Sequence, residues 1–469
     1  MSIYSRIKGW FSMLIKSKAK EEFNIEPISS EQMQSWISEC VNIYRGDPCW
    51  LDEEDGIDTV NFAKAVCSET ARLATLGIGI KISGSVRADW LKAQIEKIYY
   101  QLRSWVEYGC AYGTIILKPD GETVRMYTPM EFEVTHHTDG NIDGIVFHNY
   151  KRRGNKWYTM LEYHRFEDGL YVITNRCYVG ESPDDTKRPV SMKASPWSEL
   201  DDEAYVENVT GNLYGVFRMP QANNIDLNSP LGLPIFSEAI QELRDLDIAY
   251  SRNSEEIIDS KRIALADEAL LTFSGEPVAK GLEAAQSKAR RMKFPDMVKM
   301  VRGDGRETYY QEINPELNTD MRIRGINNLL SQIGYKSGFS NGHFVFSETT
   351  GFQTATGVEA AQQRTVQTTK DVRDKLECCV KGLIYALNVF ADLYGLAPAG
   401  AYEVALDFGD ITYNRDEDRA RWWSYVVSGK IPFWYFLMKF EGFTEEDAKA
   451  LEAASIAAHQ PPKLFALEE

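Results

Sequence analysis

The feature that most constrains this fold is a pair of long helical patterns on either side of a short insertion. The first, 234–261, opens at Pro234, and the second, 315–335, returns after the insertion 262–314. At roughly 1.5 Å per residue, the first helix is about 40 Å long. Each helix carries one apolar stripe, and a single chain offers too little apolar surface to cover both stripes. Packing these rods against identical copies in a closed ring would bury them.

A glycine-interrupted loop and the longest helical pattern of the chain follow this pair. The loop spans 336–353, and three of its phenylalanines are expected to be exposed: Phe339, Phe344 and Phe346. The helix is expected to begin at Thr354 or Thr356 as its N-cap and to run to Gly395. A strand at 403–408 and two further helices are predicted after it.

The N-terminal half predicts helices followed by a sheet. Two helical patterns, 62–76 and 91–105, precede Gly77 and Gly109, and each glycine is a natural helix stop. From 114 to 178, short runs rich in Val, Ile, Tyr and Phe are separated by Asp-Gly turns. That pattern predicts an antiparallel sheet built from hairpins. The fold class is therefore α+β.

Composition and charge fit a folded protein that does not wrap nucleic acid. The length of 469 residues suggests two or three structural units, and an apolar content of 43% is ordinary for globular domains. Lys and Arg number 52 against 69 Asp and Glu, so the net charge at pH 7 is −17. DNA-wrapping proteins carry the opposite charge. If this chain meets DNA, we expect it not to hold it tightly.

Cysteine usage and hydropathy indicate the compartment. The seven cysteines lack metal-ligand spacing, which predicts free thiols in a reducing environment. No apolar run reaches the roughly 18 residues of a membrane span, and no signal peptide is recognisable, so we expect synthesis in the cytosol. Residues 1–20 form a basic amphipathic pattern. This pattern suits an arm that docks on protein, with a helix lying on a membrane as the alternative.

The sequence contains no catalytic constellation that we would expect to be active. It lacks the glycine-rich loops that hold ATP or dinucleotides. Four residues resemble the set of a one-metal nuclease: His136, His137, Asn141 and His148. Such a site needs a helix after its hairpin, whereas strand-like sequence continues past Tyr150. We expect no enzyme, cofactor or metal site, and a DNA hydrolase at 136–148 is the rival hypothesis.

Four segments, in order along the chain, carry a resemblance to a known family. They are Gly109–Gly121, a Gly-rich strand and turn; Gln221–Phe236 with the helix after it; Phe339–Phe346 with Thr354-Ala-Thr356; and Gly442–Ala448, a helix cap. Together they resemble the portal proteins of long-tailed phages of Gram-positive hosts, over about 50–460. One position departs from that family, which commonly has an acid directly after the Thr-Ala-Thr run, where this chain has Gly357.

The resemblance implies a ring of twelve copies at one capsid vertex, through which DNA is packaged and later ejected. It implies a portal-protein fold with these parts: an N-terminal arm (1–49), a mixed α/β wing (50–233 and 354–440), two stem helices (234–261 and 315–335), a small α/β clip (262–314), a tunnel loop (336–353) and a short helical crown (441–469). The implied partners are further copies of the chain, double-stranded DNA, the terminase, the major capsid and scaffold proteins and the head-tail adaptor, without stable membrane association. The expected locations are the virion and, during assembly, the host cytoplasm.

The resemblance also implies which residues face the channel and which face partner proteins. The channel-facing residues are Lys336, Ser340, His343 and Gln353 in the loop, and Thr354, Thr356 and Glu359 at the helix start. Lys336 is the leading candidate for a light DNA contact, and the alternative is a loop that only spaces neighbouring subunits. The basic clip residues would meet the terminase or adaptor, or form salt bridges between subunits; they are Arg290, Arg291, Lys293, Arg302 and Arg306.

Overall fold

Two compact units, Met1–Asp407 and Phe408–Glu469, make up the chain. The computed structural model describes residues 18–51, 56–259, 263–267, 297–301, 310–313, 319–345, 355–409 and 415–458. The two units differ in their secondary structure. Helices and sheets alternate in the first unit, and the described part of the second is helical.

The described residues form the following helices and strands. The helices are α1 (Glu31–Arg45), α2 (Phe62–Ala74), α3 (Val86–Ile98), α4 (Leu102–Tyr112), α5 (Ile240–Asp259), α6 (Thr319–Lys336), α7 (Ala355–Leu393), α8 (Arg415–Val427), α9 (Phe433–Phe436) and α10 (Glu445–Ala458). The strands are β1 (Gly79–Ser83), β2 (Thr114–Asp120), β3 (Thr123–Tyr127), β4 (Phe132–Thr138), β5 (Asn141–Arg153), β6 (Lys156–Glu167), β7 (Leu170–Gly180), β8 (Arg188–Val190), β9 (Glu203–Val206), β10 (Gly215–Arg218), β11 (Ile263–Asp267), β12 (Met297–Val301), β13 (Tyr310–Ile313) and β14 (Glu403–Asp407). The α+β expectation is confirmed at this level.

The largest sheet is the antiparallel hairpin sheet that the sequence predicts. Its strands lie in the order β4-β5-β6-β7-β8, and β9 pairs with β7 on the same side as β8. The turns Asp139-Gly140 and Asp168-Gly169 have positive φ at both residues, which suits tight two-residue hairpins. Alternate residues of these strands point to opposite faces, so one face can be buried throughout.

A second sheet, β10-β2-β3, packs against the long helix α7. The helix turns a buried stripe towards it that includes Val372, Leu376 and Leu383. Its predicted extent is close to the observed one, and Gly395 follows its end with φ 61°. The strand predicted at 403–408 is also confirmed, as β14, which pairs with β1.

The prediction that a helix stops at Gly109 is wrong. The chain forms α3, a single 3₁₀ turn at Tyr99–Gln101, and then α4, which continues through Gly109 to Tyr112. Gly113, with φ 78°, ends α4 instead. Gly109 is required for packing, because a Cβ there would lie 2.3 Å from the ring of Phe217. The local sequence pattern does not distinguish a glycine that a neighbouring ring requires from a glycine that ends a helix.

The two helices of the predicted stem lie side by side as α5 and α6. The stretch between them contains a three-stranded sheet in the order β12-β11-β13, with one parallel and one antiparallel pairing. Strands were therefore predicted correctly in this insertion, although β11 was not foreseen, and the helical part of the prediction lies outside the described residues. The base of α5 is held by Asp247, whose carboxylate accepts bonds from the Trp50 indole and the Val60 backbone, both at 2.9 Å.

The second unit is a small helical body with an aromatic centre. Trp422 of α8 stacks on Tyr435 at 5.7 Å, and the Lys439 ammonium lies 3.6 Å from the centroid of the Trp422 ring. The predicted cap of the last helix is confirmed: the Asp447 N–H donates to the Thr444 hydroxyl at 3.2 Å. The predicted crown, 441–469, contains this helix.

Candidate functional site

The predicted tunnel loop begins where α6 ends, and its first residue is engaged in an ion pair. Lys336 donates to Glu242 of α5 at 2.6 Å, and its side chain is 37% exposed. The ion pair joins the end of α6 to the beginning of α5. A DNA contact at Lys336 stays a prediction, and a DNA phosphate there would have to compete with Glu242.

The next residues of the loop are fastened to α7 by reciprocal hydrogen bonds. The Ser340 N–H donates to the Thr365 hydroxyl at 2.8 Å, and the Thr365 N–H donates to the Ser340 hydroxyl at 3.2 Å. The Thr368 hydroxyl donates to the carbonyl of Gly338 at 2.7 Å. Ser340 is only 6% exposed, so within one chain its side chain serves packing.

The phenylalanines of the loop correct the expectation of exposure. Phe339 is 2% exposed, and Phe344 is half-buried with its ring 5.2 Å from that of Phe62 in α2. His343 lies between these two rings at 4.9 and 4.8 Å. The turn that this aromatic group stabilises brings loop residues back onto α2, and periodicity in the sequence does not reveal such a contact.

His343 is also held by an acid. Its Nε2 lies 3.2 Å from Glu69 of α2, which binds Arg72 through two further bonds of 2.8 and 2.6 Å. The bonds from Arg72, and to a smaller extent from His343, lower the pKa of the Glu69 carboxyl below its ordinary value. Glu69 therefore stays ionised and holds the loop to α2.

Several predicted site residues lie outside the described residues. Thr356 and Glu359 belong to the first turns of α7, and their place in the helix is all that is described. The others are Gln353, Thr354, Arg290, Arg291, Lys293, Arg302 and Arg306, together with the arm residues 1–17 and Phe346. The roles predicted for all of them stay predictions.

Sequence reasoning missed Arg364, an exposed cation beside the loop. Its guanidinium lies 3.9 Å from the centroid of the Tyr335 ring and donates to the Tyr335 carbonyl at 2.9 Å. Arg364 is the first basic residue after the start of α7, in a run that is otherwise nearly neutral. That isolated charge was the available signal.

It also missed a polar cluster that is buried between the six-stranded sheet and the sheet β10-β2-β3. Lys118 of β2 donates to both carboxylate oxygens of Glu162 of β6, at 2.7 and 2.6 Å. His164 contacts the same carboxylate at 2.8 Å and the Tyr171 hydroxyl at 2.9 Å. Polar residues at alternate positions of the otherwise apolar strand β6 were the signal.

Charge states in this cluster follow from burial opposed by pairing. Burial raises the pKa of Glu162, but the Lys118 ammonium and the His164 bond outweigh it and hold that pKa well below the ordinary value. Burial lowers the pKa of Lys118, and Glu162 more than restores it. For His164 burial prevails and its pKa is lowered. The cluster is thus an ion pair with a neutral imidazole, and exposures of 2 to 8% keep solutes away.

The residues of the rival nuclease hypothesis differ in burial and in their contacts. His148 is fully buried, His136 is exposed, and His137 contacts the carbonyl of Asn228 at 3.1 Å. The strand carrying His148 runs on to Arg153, as the sequence predicted. Among the described residues, no group of three or more His, Cys, Asp or Glu side chains is arranged to hold a metal ion.

Two expectations from the sequence concern the state of the cysteines and the absence of a membrane-spanning run. All seven cysteines are free thiols, as predicted, and burial raises the pKa of Cys40, Cys67 and Cys110. Within the described ranges, no helix combines the length and apolarity needed to cross a bilayer.

Several apolar side chains are exposed on the part of the helix pair α5 and α6 that is nearer the small sheet β12-β11-β13. Close to the Lys336–Glu242 ion pair, side chains of both helices are buried: Leu243, Leu246 and Ile333 are at most 3% exposed. Towards the small sheet, Tyr250 is 46% and Met321 73% exposed. An ion pair between Arg322 and Glu256 joins the helices there. The distal pair therefore lacks apolar cover from the described part of its own chain.

Comparison with known proteins adds no family assignment. No protein-family model matches this chain, and no curated protein matches its sequence.

Proposed function

We propose that this chain is a portal protein, whose copies form a ring that conducts double-stranded DNA at one capsid vertex. The observation that carries the proposal is the distal helix pair, which extends beyond the packed wing with Met321 and Tyr250 exposed. The four segments that resemble phage portal proteins support the same conclusion. In this proposal the chain acts as a conduit and a docking platform for the terminase, scaffold and adaptor, and does not itself catalyse a reaction.

A ring accounts for the exposed apolar side chains by ordinary packing. Burying apolar surface contributes about 25 cal/mol per Å², so two large side chains exposed on every copy favour association. In the proposed ring, the stripe on one side of a helix pair meets a different side of the next copy, and such a heterologous contact forms a closed ring when the rotation between copies closes. The wing, with its own buried core, needs no such cover.

Electrostatics supports a channel that does not grip DNA. DNA carries one negative charge per roughly 1.7 Å of its axis, and each Lys or Arg that contacts a phosphate adds salt-dependent affinity. The chain has a net charge of −17, and Lys336 and His343 at the loop are paired with Glu242 and Glu69. A conduit of this kind lets DNA slide with few attachments.

Sedimentation of the purified chain, with negative-stain imaging, tests the ring. We expect closed rings whose mass is a multiple of 53.4 kDa. Met321→Glu should shift the population towards the monomer, because it places a charge in the proposed contact. The matched control is Val86→Glu, which changes a residue that is 64% exposed at the first position of α3, where an acid is favourable.

Two results would contradict the proposal. One is a well-behaved monomer of the unmodified chain under every assembly condition. The other is equal assembly of the Met321→Glu variant and the unmodified chain, since the distal helix pair would then not be the contact between copies.

A further inference from the structure

The six-stranded sheet carries opposite charges at its two ends. Strand β6 runs from Lys156 to Glu167, a length of about 37 Å at roughly 3.4 Å per residue. Neither the apolar core nor the proposed stem contact explains this segregation.

The basic end combines the β5–β6 turn with β8. Pairing places Lys151, Tyr158, Val179 and Arg188 in one row across four strands. The exposed cations of this end are Lys151, Arg152, Arg153, Lys156, Lys187 and Arg188. Three acids, Glu181, Asp184 and Asp185, lie in the adjoining loop, and the Asp185 carboxylate accepts a bond from the Glu181 N–H at 3.4 Å. These acids offset only part of the positive charge.

One pair at this end is unfavourable within the chain. Arg153 and Lys156 are direct cross-strand partners beside the turn at Gly154, and both are exposed. Like charges directly opposite each other destabilise a strand pair. An anionic surface laid against this end would relieve that repulsion.

The acidic end is formed by the β4–β5 and β6–β7 turns with the end of β9. Its exposed acids are Asp139, Glu167, Asp168 and Glu207. Val206 pairs with Tyr171 and Glu167 with Leu170, so Glu207 and Glu167 lie on either side of Leu170. Two half-buried cations are near, Arg165, which binds Glu167 at 2.7 Å, and Arg218. This end therefore keeps a negative balance.

We infer that the basic end of this sheet docks on the acidic end of the same sheet in a second copy of the chain. Complementary ends on one chain are what a head-to-tail contact requires, because each copy offers one end to each neighbour. The inference rests on the proposed ring and names a contact in the wing, separate from the stem. In this inference the sheet sets the orientation of neighbouring subunits and speeds their encounter.

Paired charge reversals test the contact. One variant, Arg153→Glu with Lys156→Glu, makes both ends acidic; another, Glu167→Lys with Glu207→Lys, makes both ends basic. Each alone should raise the concentration for half-assembly at least about tenfold at low salt. Mixed one to one, the two variants should assemble together, since each then presents what the other lacks. Lys92→Glu with Lys97→Glu, on the exposed side of α3, changes net charge by the same amount as the Arg153→Glu, Lys156→Glu variant and should leave assembly unchanged.

The outcomes separate this inference from the proposed function. Rings from each reversed variant at the unmodified concentration would overturn the inference and leave the ring standing. Unchanged assembly with weakened binding of duplex DNA by the Arg153→Glu, Lys156→Glu variant would overturn it in favour of a nucleic-acid surface. A monomeric unmodified chain would overturn both. Near-ultraviolet circular dichroism identical to that of the unmodified chain verifies that each variant is folded.

Discussion

At the residue scale, the buried Lys118–Glu162 pair joins two sheets. Lys118 belongs to the sheet β10-β2-β3 and Glu162 to the six-stranded sheet. Removing one member of such a pair leaves an uncompensated buried charge, which destabilises a protein by about 3–5 kcal/mol. The surrounding bonds from His164 and Asn149 use the remaining carboxylate lone pairs. The pair can therefore form only when both sheets are in register.

The neutral His164 makes stability depend on pH. Because its pKa is lowered in the fold, the unfolded chain binds a proton first as pH falls below about 6.5, and the free energy of unfolding decreases. His164→Gln lacks this titration. We expect the free-energy difference between the unmodified chain and the variant, measured by urea unfolding, to shrink between pH 7.5 and pH 5. A difference that grows on acidification would show that the folded chain protonates His164 more readily.

Glu162 acts in the same direction at lower pH. Its lowered pKa contributes stability that is fully present above the unfolded value, near 4.5, and is lost as pH falls further towards the folded value. The two effects occupy different pH windows, so they can be separated in one titration.

At the element scale, the loop after α6 is held against α7 by short polar contacts. Gly338, with φ 86°, brings its backbone so close to Thr368 that a Cβ would lie 2.6 Å from the Thr368 hydroxyl. Gly342 has nearly the same φ, 83°, but nothing lies within 4 Å of its Cβ position. A substitution at Gly342 therefore introduces backbone strain alone, whereas one at Gly338 introduces both backbone strain and a steric clash.

Alanine at each glycine should destabilise the loop unequally. Gly342→Ala should cost about 1–2 kcal/mol from the left-handed backbone alone. Gly338→Ala should cost more, because it also displaces Thr368 and breaks its bond to the loop. Hydrogen exchange of the amides at 337–345 measures the difference. Equal effects of the two substitutions would mean that the loop is not seated on α7 as described.

At the scale of the whole molecule, charge and shape act together in the proposed ring. The net charge of −17 repels DNA, and the cations closest to the predicted channel are partly neutralised by acids of neighbouring helices. Weak and local attachment is compatible with passage of DNA in both directions. In the proposed ring, the ends of the six-stranded sheet and the exposed apolar side chains of the helix pair would form two separate contacts between copies.

Releasing Lys336 should strengthen DNA binding by the assembled protein. We expect the unmodified assembly to bind duplex DNA no more tightly than roughly 10⁻⁶ M at physiological salt. Glu242→Gln removes the partner of Lys336, so affinity should rise with a steeper salt dependence. Glu238→Gln removes an equal charge from an exposed position nearby and should change little. Equal responses in fluorescence anisotropy would count against Lys336 as a DNA contact.

The sequence by itself determined the elements whose signals are local. The helix pair, the long helix to Gly395, the hairpin sheet and the Thr444 cap all follow from periodicity, turn residues and capping chemistry within a few residues. Those patterns also predicted free cysteines. The resemblance to portal proteins used the same local segments, and the family role stays a proposal.

Only the tertiary structure decided what distant segments do to one another. Gly109 lies inside a helix where the Phe217 ring leaves no room for a Cβ, Phe339 is buried because its loop folds back towards α7, and Lys336 is paired because α6 returns beside α5. The two charged ends of the large sheet likewise appear only once the strands are paired. Contacts between residues far apart in sequence depend on the complete backbone path, which no local pattern contains.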